Sequence, residues 1–306
     1  MRIVYLGTPD FAVKPLEKLL ENNYNVVGVI TNKDKPVGRK QILTPPPVKQ
    51  VALENGIKVF QYDKIRVEGV EELKSLKPDL LITCAFGQIL SKEIIDIAPL
   101  GVINIHASLL PKYRGASPIH YAILNGETKT GITIMKTDEG IDTGDIIYSE
   151  QLDILENETC GSLFERLSLL GSETLIKVLP SIIDKSARFV KQNDSDATFT
   201  KIIKKDMAKI DWQNSAINIV NQVRAFNPAP VAFASYLGLP FKIYQAEISE
   251  LKGKAGQILK ADENLIIGCG DKSVSLLKVQ KAGGKPMEIK EFLRGNKFVV
   301  GEELKW

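Results

Sequence analysis

The chain has 306 residues, enough for two domains or one large one. Its 44% hydrophobic and 25% charged residues are typical of a soluble globular protein. No apolar run approaches the roughly 18 to 20 residues of a membrane helix, so no membrane association is expected. The net charge is +3: residues 1–190 hold 22 Lys and Arg against 24 Asp and Glu, a net −2, and residues 191–306 hold 18 against 13, a net +5. The basic second part favours a polyanionic partner, although a solubilising lysine surface would give the same asymmetry.

Cysteine and histidine are scarce. The three cysteines, Cys84, Cys160 and Cys269, share no metal-ligand spacing and are expected to be buried thiols in a reducing compartment. With only His106 and His120 as histidines, a zinc site is not expected. The chain begins in an apolar strand pattern without a signal-peptide pattern, which favours the cytoplasm.

The first 188 residues alternate strand and helix patterns. This order predicts a parallel sheet covered by helices on both faces, a doubly wound, Rossmann-like α/β domain. The first strand–helix turn, Gly7–Asp10, lacks the Gly-x-Gly-x-x-Gly of dinucleotide sites, which argues against NAD. The predicted strands are 3–7, 26–31, 58–61, 79–86, 101–106, 130–136 and 146–149, and the predicted helices are 10–21, 48–55, 70–76, 92–97, 117–125 and 160–184.

A long basic loop is predicted between the second strand and the next helix. Residues 32–47 contain Lys33, Lys35, Arg39 and Lys40 together with a glycine and several prolines. At about 15 residues the loop exceeds the usual strand–helix connection, and long loops are often functional. We therefore expect a mobile basic loop; a solvated insertion is the alternative.

The most distinctive stretch chemically is Asn104–Pro111, which follows an apolar run. Because side chains alternate along a strand, Asn104 and His106 are predicted to share a face near its carboxyl end, where open α/β sheets bind ligands. A second stretch, Thr137–Asp145, has three Asp, one Glu and two Gly, and leaves another predicted strand. An amide, an imidazole and a carboxylate at two strand ends can form a proton-handling site with an oxyanion donor. A structural histidine beside a solvated turn is the alternative.

The pattern changes after residue 188. Residues 189–207 lack a sustained apolar period and include Lys204 and Lys205, which predicts a linker or a lysine-faced surface helix. Residues 208–306 are predicted to form a small antiparallel, OB-like β-barrel. Such a barrel with scattered lysines suits a reader of nucleic-acid shape and phosphates. The predicted elements are a helix over 215–226, strands over 231–236, 241–245, 256–260, 265–269 and 274–279, and a last helical turn over 289–293.

Several motifs together resemble the formyltransferases that use 10-formyltetrahydrofolate. They are Asn-x-His-x-Ser-Leu-Leu-Pro at 104–111, Arg-Gly-Ala-Ser-Pro-Ile-His at 114–120 and Asp-Glu-Gly-Ile-Asp-Thr-Gly-Asp at 138–145. Gly-Thr-Pro-Asp-Phe-Ala at 7–12 and Arg-Ala-Phe-Asn-Pro at 224–228 are similar to the members that formylate methionyl-tRNA. The chain departs from them at Ala229, where Trp is frequent, and we expect an effect on packing alone.

The resemblance implies transfer of a formyl group from 10-formyltetrahydrofolate to the α-amino group of methionyl initiator tRNA, by a monomer. It implies a catalytic trio of Asn104, His106 and Asp142, with no metal. The resemblance also implies that the basic loop contacts tRNA. It supports Arg39 more than Lys40, because many members have Gly at the position of Lys40. The implied folate contacts are Phe86, Gln88, Ile89, Leu90, Ser108, Leu109, Leu110, Pro111, Asp138, Gly140 and Ile141, and the candidate tRNA contacts are Arg39, Lys40, Lys204 and Lys205.

Two alternative functions compete with this one. A formyl enzyme acting on a small-molecule amine, or hydrolysing formylfolate, is disfavoured by the basic loop and the C-terminal barrel. A non-catalytic RNA-binding protein on an enzyme scaffold is disfavoured by the intact trio. Ser108 lacks the Gly-x-Ser-x-Gly elbow of a serine hydrolase, and His120 is interpreted as structural.

Overall fold

The structure, a computed structural model, describes residues 1–38 and 40–305. The chain divides into two compact units. The first comprises residues 1–118, 129–153 and 164–201, and the second comprises residues 119–128, 154–163 and those from Ile202 onward. Most of the segment predicted as a linker therefore belongs to the first unit, whereas the domain boundaries at 188 and 208 stay a prediction. Within the described ranges, no helix is long and apolar enough to cross a membrane.

Within the residues that the structure describes, the first unit contains eleven strands. Seven of them form its main sheet, in the order β10-β9-β7-β6-β1-β2-β5. The strands are β1 (Ile3–Gly7), β2 (Val26–Thr31), β3 (Lys35–Val37), β4 (Ile42–Thr44), β5 (Val59–Gln61), β6 (Leu80–Cys84), β7 (Val102–His106), β8 (Arg114–Gly115), β9 (Lys129–Lys136), β10 (Ile146–Asp153) and β11 (Phe199–Thr200).

The main sheet is parallel over five strands, which confirms the predicted α/β fold. β5, β2, β1, β6 and β7 run parallel to their neighbours, whereas β9 and β10 are antiparallel additions at one edge. β1, β6 and β7 have almost wholly buried residues, which explains their continuous apolar sequences. β10 alternates exposed and half-buried residues, as an edge strand does.

The helices up to residue 183 follow the predicted positions closely, with one addition. α3 was not predicted, because four residues are too few to show a helical period. A 3-10 turn, Asp10–Ala12, takes the first turn of the first predicted helix. The helices are α1 (Val13–Glu21), α2 (Pro47–Glu54), α3 (Ile65–Glu68), α4 (Val70–Ser75), α5 (Lys92–Ile95), α6 (Pro118–Leu124) and α7 (Cys160–Ile183).

The strand order reverses between β1 and β6, and this creates a crevice at their carboxyl ends. Gly7 ends β1 at this point. A Cβ at Gly7 would lie 2.7 Å from the Cβ of Ala12 and 3.0 Å from the carbonyl oxygen of Cys84. The glycine of the first strand–helix turn is therefore required by close packing of the turn against β6.

The basic loop contains regular structure that the sequence pattern did not predict. β3 and β4 pair antiparallel as a short hairpin within the segment expected to be a mobile loop. Lys40 is exposed in the turn of the hairpin, and Arg39 lies outside the residues that the structure describes. Three-residue strands with exposed side chains carry no apolar alternation that would reveal them.

The second unit is built on an antiparallel sheet. Its order is β12-β13-β16-β15-β14, and β17 pairs with the outer part of β16. The elements are α8 (Ala216–Ala225), β12 (Ala232–Tyr236), β13 (Leu239–Ser249), β14 (Ile258–Ala261), β15 (Leu265–Gly268), β16 (Ser273–Lys281), β17 (Met287–Glu288) and α9 (Ile289–Gly295).

The C-terminal residues join the two edges of this sheet. Lys305 pairs with Ser235 of β12, and Glu303 pairs with Gln257 just before β14. Leu304, between them, is buried in the core of the unit. The predicted barrel-like domain is thereby confirmed, with a closing segment that the charged sequence around Leu304 did not reveal.

All three cysteines are free and buried, as predicted. Burial raises the pKa of the Cys84, Cys160 and Cys269 thiols to about 12. The thiols are therefore protonated at neutral pH, which makes them poor nucleophiles.

Candidate active site

β7 carries two polar side chains toward the crevice end of the sheet. Asn104 is aligned with Thr83 of β6, and His106 is aligned with Thr133 of β9. Aligned residues of neighbouring strands project from the same face. Asn104 and His106 therefore share a face with a threonine beside each of them, as the strand period predicted for the first two.

Thr83 holds the Asn104 amide in one orientation. Its Oγ1 donates a hydrogen bond to Asn104 Oδ1 at 2.9 Å. Within the part of the chain that the structure describes, no protein acceptor takes the two N–H groups of Asn104 Nδ2. Because Asn104 is only half-buried, its amide can donate to a bound molecule. Thr83 was missed by sequence reasoning, since only strand register reveals it.

His106 is buried and its tautomer is set by a backbone carbonyl. The side chain is 6% exposed, and Nε2 lies 3.0 Å from the carbonyl oxygen of Tyr113. A carbonyl oxygen only accepts, so Nε2 carries the hydrogen in the neutral ring. Nδ1 is then the nitrogen that takes up a proton, and it lies 3.6 Å from Asp142 Oδ2. The imidazolium would be paired directly with the carboxylate.

Asp142 reaches His106 from the acidic loop between β9 and β10. Its Oδ2 also accepts a hydrogen bond from the backbone N–H of Gly115 at 2.8 Å. Its backbone is left-handed, with φ of 53°. Gly144 makes the loop possible, because a Cβ there would lie 1.8 Å from the carbonyl oxygen of Lys136. The structure thus brings His106 and Asp142 together, and Asn104 lies two residues before His106 on the same face of β7.

Ser108–Pro111 form a turn that is tied to β9. The Ser108 hydroxyl donates to the carbonyl oxygen of Lys112 at 2.6 Å. Thr133 Oγ1 donates to the Ser108 carbonyl at 2.7 Å and accepts from the Leu110 N–H at 3.1 Å. Ser108 is buried and its hydroxyl closes the turn, which is unlike the exposed nucleophile of a hydrolase. Leu109 and Pro111 are half-buried, and Leu110 is buried.

The predicted folate segment 86–90 has one exposed apolar side chain. Phe86 and Leu90 pack in the core beside α3 and α4. Gln88 is occupied: its Oε1 accepts from Ile65 N at 2.8 Å, and its Nε2 donates to Asn32 Oδ1 at 2.7 Å and Tyr62 O at 2.9 Å. Ile89, by contrast, is 66% exposed.

The acidic loop, like residues 86–90, has an exposed apolar side chain. Ile141 is 65% exposed. Asp138 is exposed and uses Oδ1 to accept from Gly140 N at 3.0 Å and from Thr143 Oγ1 at 2.6 Å. The hydrogen bond between Asp138 and Gly140 therefore shapes the loop, and the apolar side chain of Ile141 remains exposed.

The lysines of the predicted linker are exposed. Lys204 precedes a 3-10 turn, Lys205–Ala208, and both Lys204 and Lys205 expose their side chains. Like Lys40, they are accessible to a polyanion.

The Arg-Ala-Phe-Asn-Pro motif stabilises the second unit. Arg224 Nε donates to the Glu158 carbonyl at 3.0 Å, and Nη2 donates to the Leu155 carbonyl at 3.3 Å. Phe226 lies 6.5 Å, centroid to centroid, from the His120 ring. Burial lowers the pKa of His120, so this histidine is neutral at physiological pH, in keeping with its structural interpretation.

Comparison with known proteins identifies the family. A family model described as formyl transferase matches residues 1–179, and one described as formyl transferase, C-terminal domain, matches residues 202–297. The chain belongs to the formyl transferase family. The resemblance expected from the motifs, and formyl transfer as the type of reaction, are confirmed.

Two curated relatives and one solved structure illustrate the similarity. The chain is 44% identical over 311 residues to methionyl-tRNA formyltransferase of Alkaliphilus metalliredigens, covering 99% of both chains. It is 44% identical over 310 residues to methionyl-tRNA formyltransferase of Bacillus pumilus, covering 99% of this chain and 97% of the relative. An N-formyltransferase from Helicobacter canadensis, solved with folinic acid and dTDP-3-aminofucose, matches with a TM-score of 0.70 and 26% identity over 91% of this chain and 98% of that one.

Replacing Thr83 by valine tests how the amide is oriented. Thr83→Val keeps the side-chain shape but removes the donor to Asn104 Oδ1, so formyl-transfer turnover should fall about tenfold, the equivalent of one hydrogen bond. Steady-state kinetics measures this. Thr83→Ser keeps the hydroxyl and should stay within about twofold of wild type. Unchanged turnover in the folded valine variant would refute the assignment.

Proposed function

We propose that this protein transfers the formyl group of 10-formyltetrahydrofolate to the α-amino group of methionine on initiator tRNA. The observation that carries the proposal is the approach of His106 and Asp142 to 3.6 Å, from two separate strand ends, beside Asn104. The relatives named above, matched over almost their whole length, support the choice of acceptor.

The Asn104 amide would stabilise the charge that develops in the reaction. When the amine attacks the formyl carbon, the formyl oxygen gains negative charge in a tetrahedral intermediate. The N–H groups of Asn104 Nδ2 are free to donate to that oxygen, because Thr83 occupies the other end of the amide. One well-placed donor of this kind lowers the activation barrier by roughly 3 to 4 kcal/mol.

His106 and Asp142 would move the proton. The attacking nitrogen must lose a proton, and the departing N10 of the folate must gain one. Nδ1 of His106 can accept the first proton and return it to N10, while the Asp142 carboxylate stabilises the imidazolium between these steps. The new amide bond forms as the C–N10 bond breaks, and the substrate amine itself is the nucleophile, so no covalent enzyme intermediate is needed.

The folate donor would bind where apolar side chains are exposed near the trio. Ile89 and Ile141 are each about two-thirds exposed, on loops that follow β6 and β9. A flat heterocycle that covers such side chains gains hydrophobic stabilisation. Gln88 would support its loop and not contact the donor through its side chain, because its amide is already used by protein groups.

Phosphate contacts would come from exposed basic residues. We assign this role to Lys40, Lys204 and Lys205, and to Arg39, on the resemblance and on the exposure of the three lysines. Such contacts contribute affinity that depends on salt and little on sequence.

The acceptor is tested by a competition between substrate classes. With 10-formyltetrahydrofolate as donor, we expect rapid formylation of charged initiator tRNA and at least about 100-fold lower kcat/KM with dTDP-3-aminofucose or glycinamide ribonucleotide, which lack phosphate contacts over a long backbone. The sugar nucleotide is included because the Helicobacter canadensis structure contains one. Preference for either small amine would overturn the proposed acceptor.

Replacing Asp142 tests the proton path. Asp142→Asn keeps the shape and the acceptor for Gly115 N–H but removes the charge that stabilises the imidazolium, so turnover should fall at least about 100-fold. Stopped-flow or quench-flow formylation measures the step. Glu139→Gln removes an exposed carboxylate from the same loop and should change turnover less than about twofold. Near-normal turnover in Asp142→Asn would reject the trio.

Removing the linker lysines tests the phosphate contacts. The double variant Lys204→Ala, Lys205→Ala should raise KM for charged tRNA and lower the slope of log KM against log salt by about one per lost contact. The KM for the folate donor should not change. Lys14→Ala with Lys18→Ala, two lysines of α1 whose side chains are 57% and 40% exposed, provides the matched loss of charge. An unchanged salt slope would remove these lysines from the interface.

A further inference from the structure

The segment that follows α7 contributes to the first unit more than a connector would. Val190 pairs with Ile146 at the start of β10, and β11 pairs in parallel with β8. Tyr113, whose carbonyl fixes the His106 tautomer, donates its N–H to Thr198 Oγ1 at 2.8 Å. Residues 180–201 lie between the two family matches, so family membership assigns them no role.

Gln192 of this segment is buried and all its hydrogen-bonding groups are used. Oε1 accepts from Arg114 Nε at 3.0 Å and from Arg114 Nη2 at 2.8 Å. A guanidinium only donates, so it must face the oxygen of the amide and never the nitrogen. Nε2 is therefore directed the other way, where it donates to the carbonyls of Asp142 at 2.8 Å and Gly144 at 2.7 Å.

Arg114 is itself held in place. Its side chain is 3% exposed, and Nη2 also donates to Asp194 Oδ1 at 2.8 Å. Its backbone N–H donates to the Thr198 carbonyl at 2.8 Å. The next residue, Gly115, gives its N–H to the Asp142 carboxylate. The same short strand thus supports both the side chain of Asp142 and, through Gln192, its backbone.

We propose that Gln192 is a positioning residue for Asp142, an inference that rests on the proposed function. Asp142 has a left-handed backbone, which persists only where the surroundings hold it. Gln192 donates to carbonyls on both sides of Thr143 and so clamps the turn that carries the carboxylate. Without the clamp the loop relaxes, and Oδ2 leaves its place beside His106 Nδ1.

The decisive experiment substitutes Gln192 in the whole chain. Gln192→Leu removes both donors at similar volume, and kcat for formylation of charged initiator tRNA should fall about 10- to 50-fold, because small misplacements of a reacting group are costly. KM for tRNA and for the folate donor should stay within about threefold, since Gln192 contacts neither proposed surface. Wild-type kcat in the leucine variant overturns the inference.

A double-mutant cycle separates positioning from general stability. If Gln192 acts through Asp142, Gln192→Leu should cost less than about twofold in turnover when Asp142 is already Asn, because residues that act as a unit are not additive. Equal losses in both backgrounds would show a merely structural role and overturn the inference.

Two further variants keep the test sharp. Gln192→Glu retains an acceptor for Arg114 but places oxygen against the two carbonyls, so it should lose kcat as the leucine variant does; full activity would show that the donors are dispensable. Gln280→Leu is the matched control, since Gln280 Nε2 donates to the Gly284 carbonyl at 2.7 Å in the second unit. Its kcat should match wild type.

The failure of the proposed function is distinguishable from the failure of this inference. If the wild-type protein does not formylate charged tRNA, the proposed function is wrong. If the wild type is active and Gln192→Leu is equally active, only the positioning role of Gln192 is wrong.

Discussion

The site depends on one contact, between Nδ1 of a buried imidazole and a carboxylate oxygen 3.6 Å away. The contact is directional because the Tyr113 carbonyl engages Nε2, so that the proton-accepting nitrogen faces Asp142. Burial strengthens this pairing, because little water reaches a buried imidazolium and its charge is then stabilised mainly by neighbouring protein groups. The surrounding structure can be understood as the set of contacts that keep these two groups in place.

Most of those contacts come from backbone groups and uncharged side chains. Thr83 orients Asn104, Thr133 ties the turn after β7 to β9, and the Gly115 N–H engages the carboxylate. Each of them is buried or half-buried, where a hydrogen bond lost from one partner leaves the other unsatisfied. The antiparallel strand β9 is important here, because it supplies both Thr133 and the start of the acidic loop.

Local pattern predicted the elements and the shared face of Asn104 and His106, and the family resemblance implied the trio, whereas contacts between distant segments lay beyond both. β1 and β2 were predicted at their observed bounds because apolar runs ended by turn residues mark buried strands. Asn104 and His106 were placed on one face by strand period alone. Gln192 could not be found, since nothing local distinguishes a glutamine that meets Arg114 across 78 residues. The sequence equally concealed that Gln88 is committed to protein partners, and that the residues around Leu304 close the second sheet.

The basic hairpin and the donor-binding segment share one foundation in the first unit. Asn32, just before the hairpin, donates from Nδ2 to the Phe86 carbonyl at 3.2 Å and accepts at Oδ1 from Gln88. Lys49 then binds both carboxylate oxygens of Asp34, at 2.8 and 2.9 Å, at the base of β3. Asn32 therefore belongs to the hydrogen-bonded network that shapes residues 86–90. Residues 86–90 follow β6, which is the neighbour of β7, the strand that carries Asn104 and His106. Asn32 and Gln88 therefore connect the start of the hairpin, after β2, to the segment beside the catalytic strand.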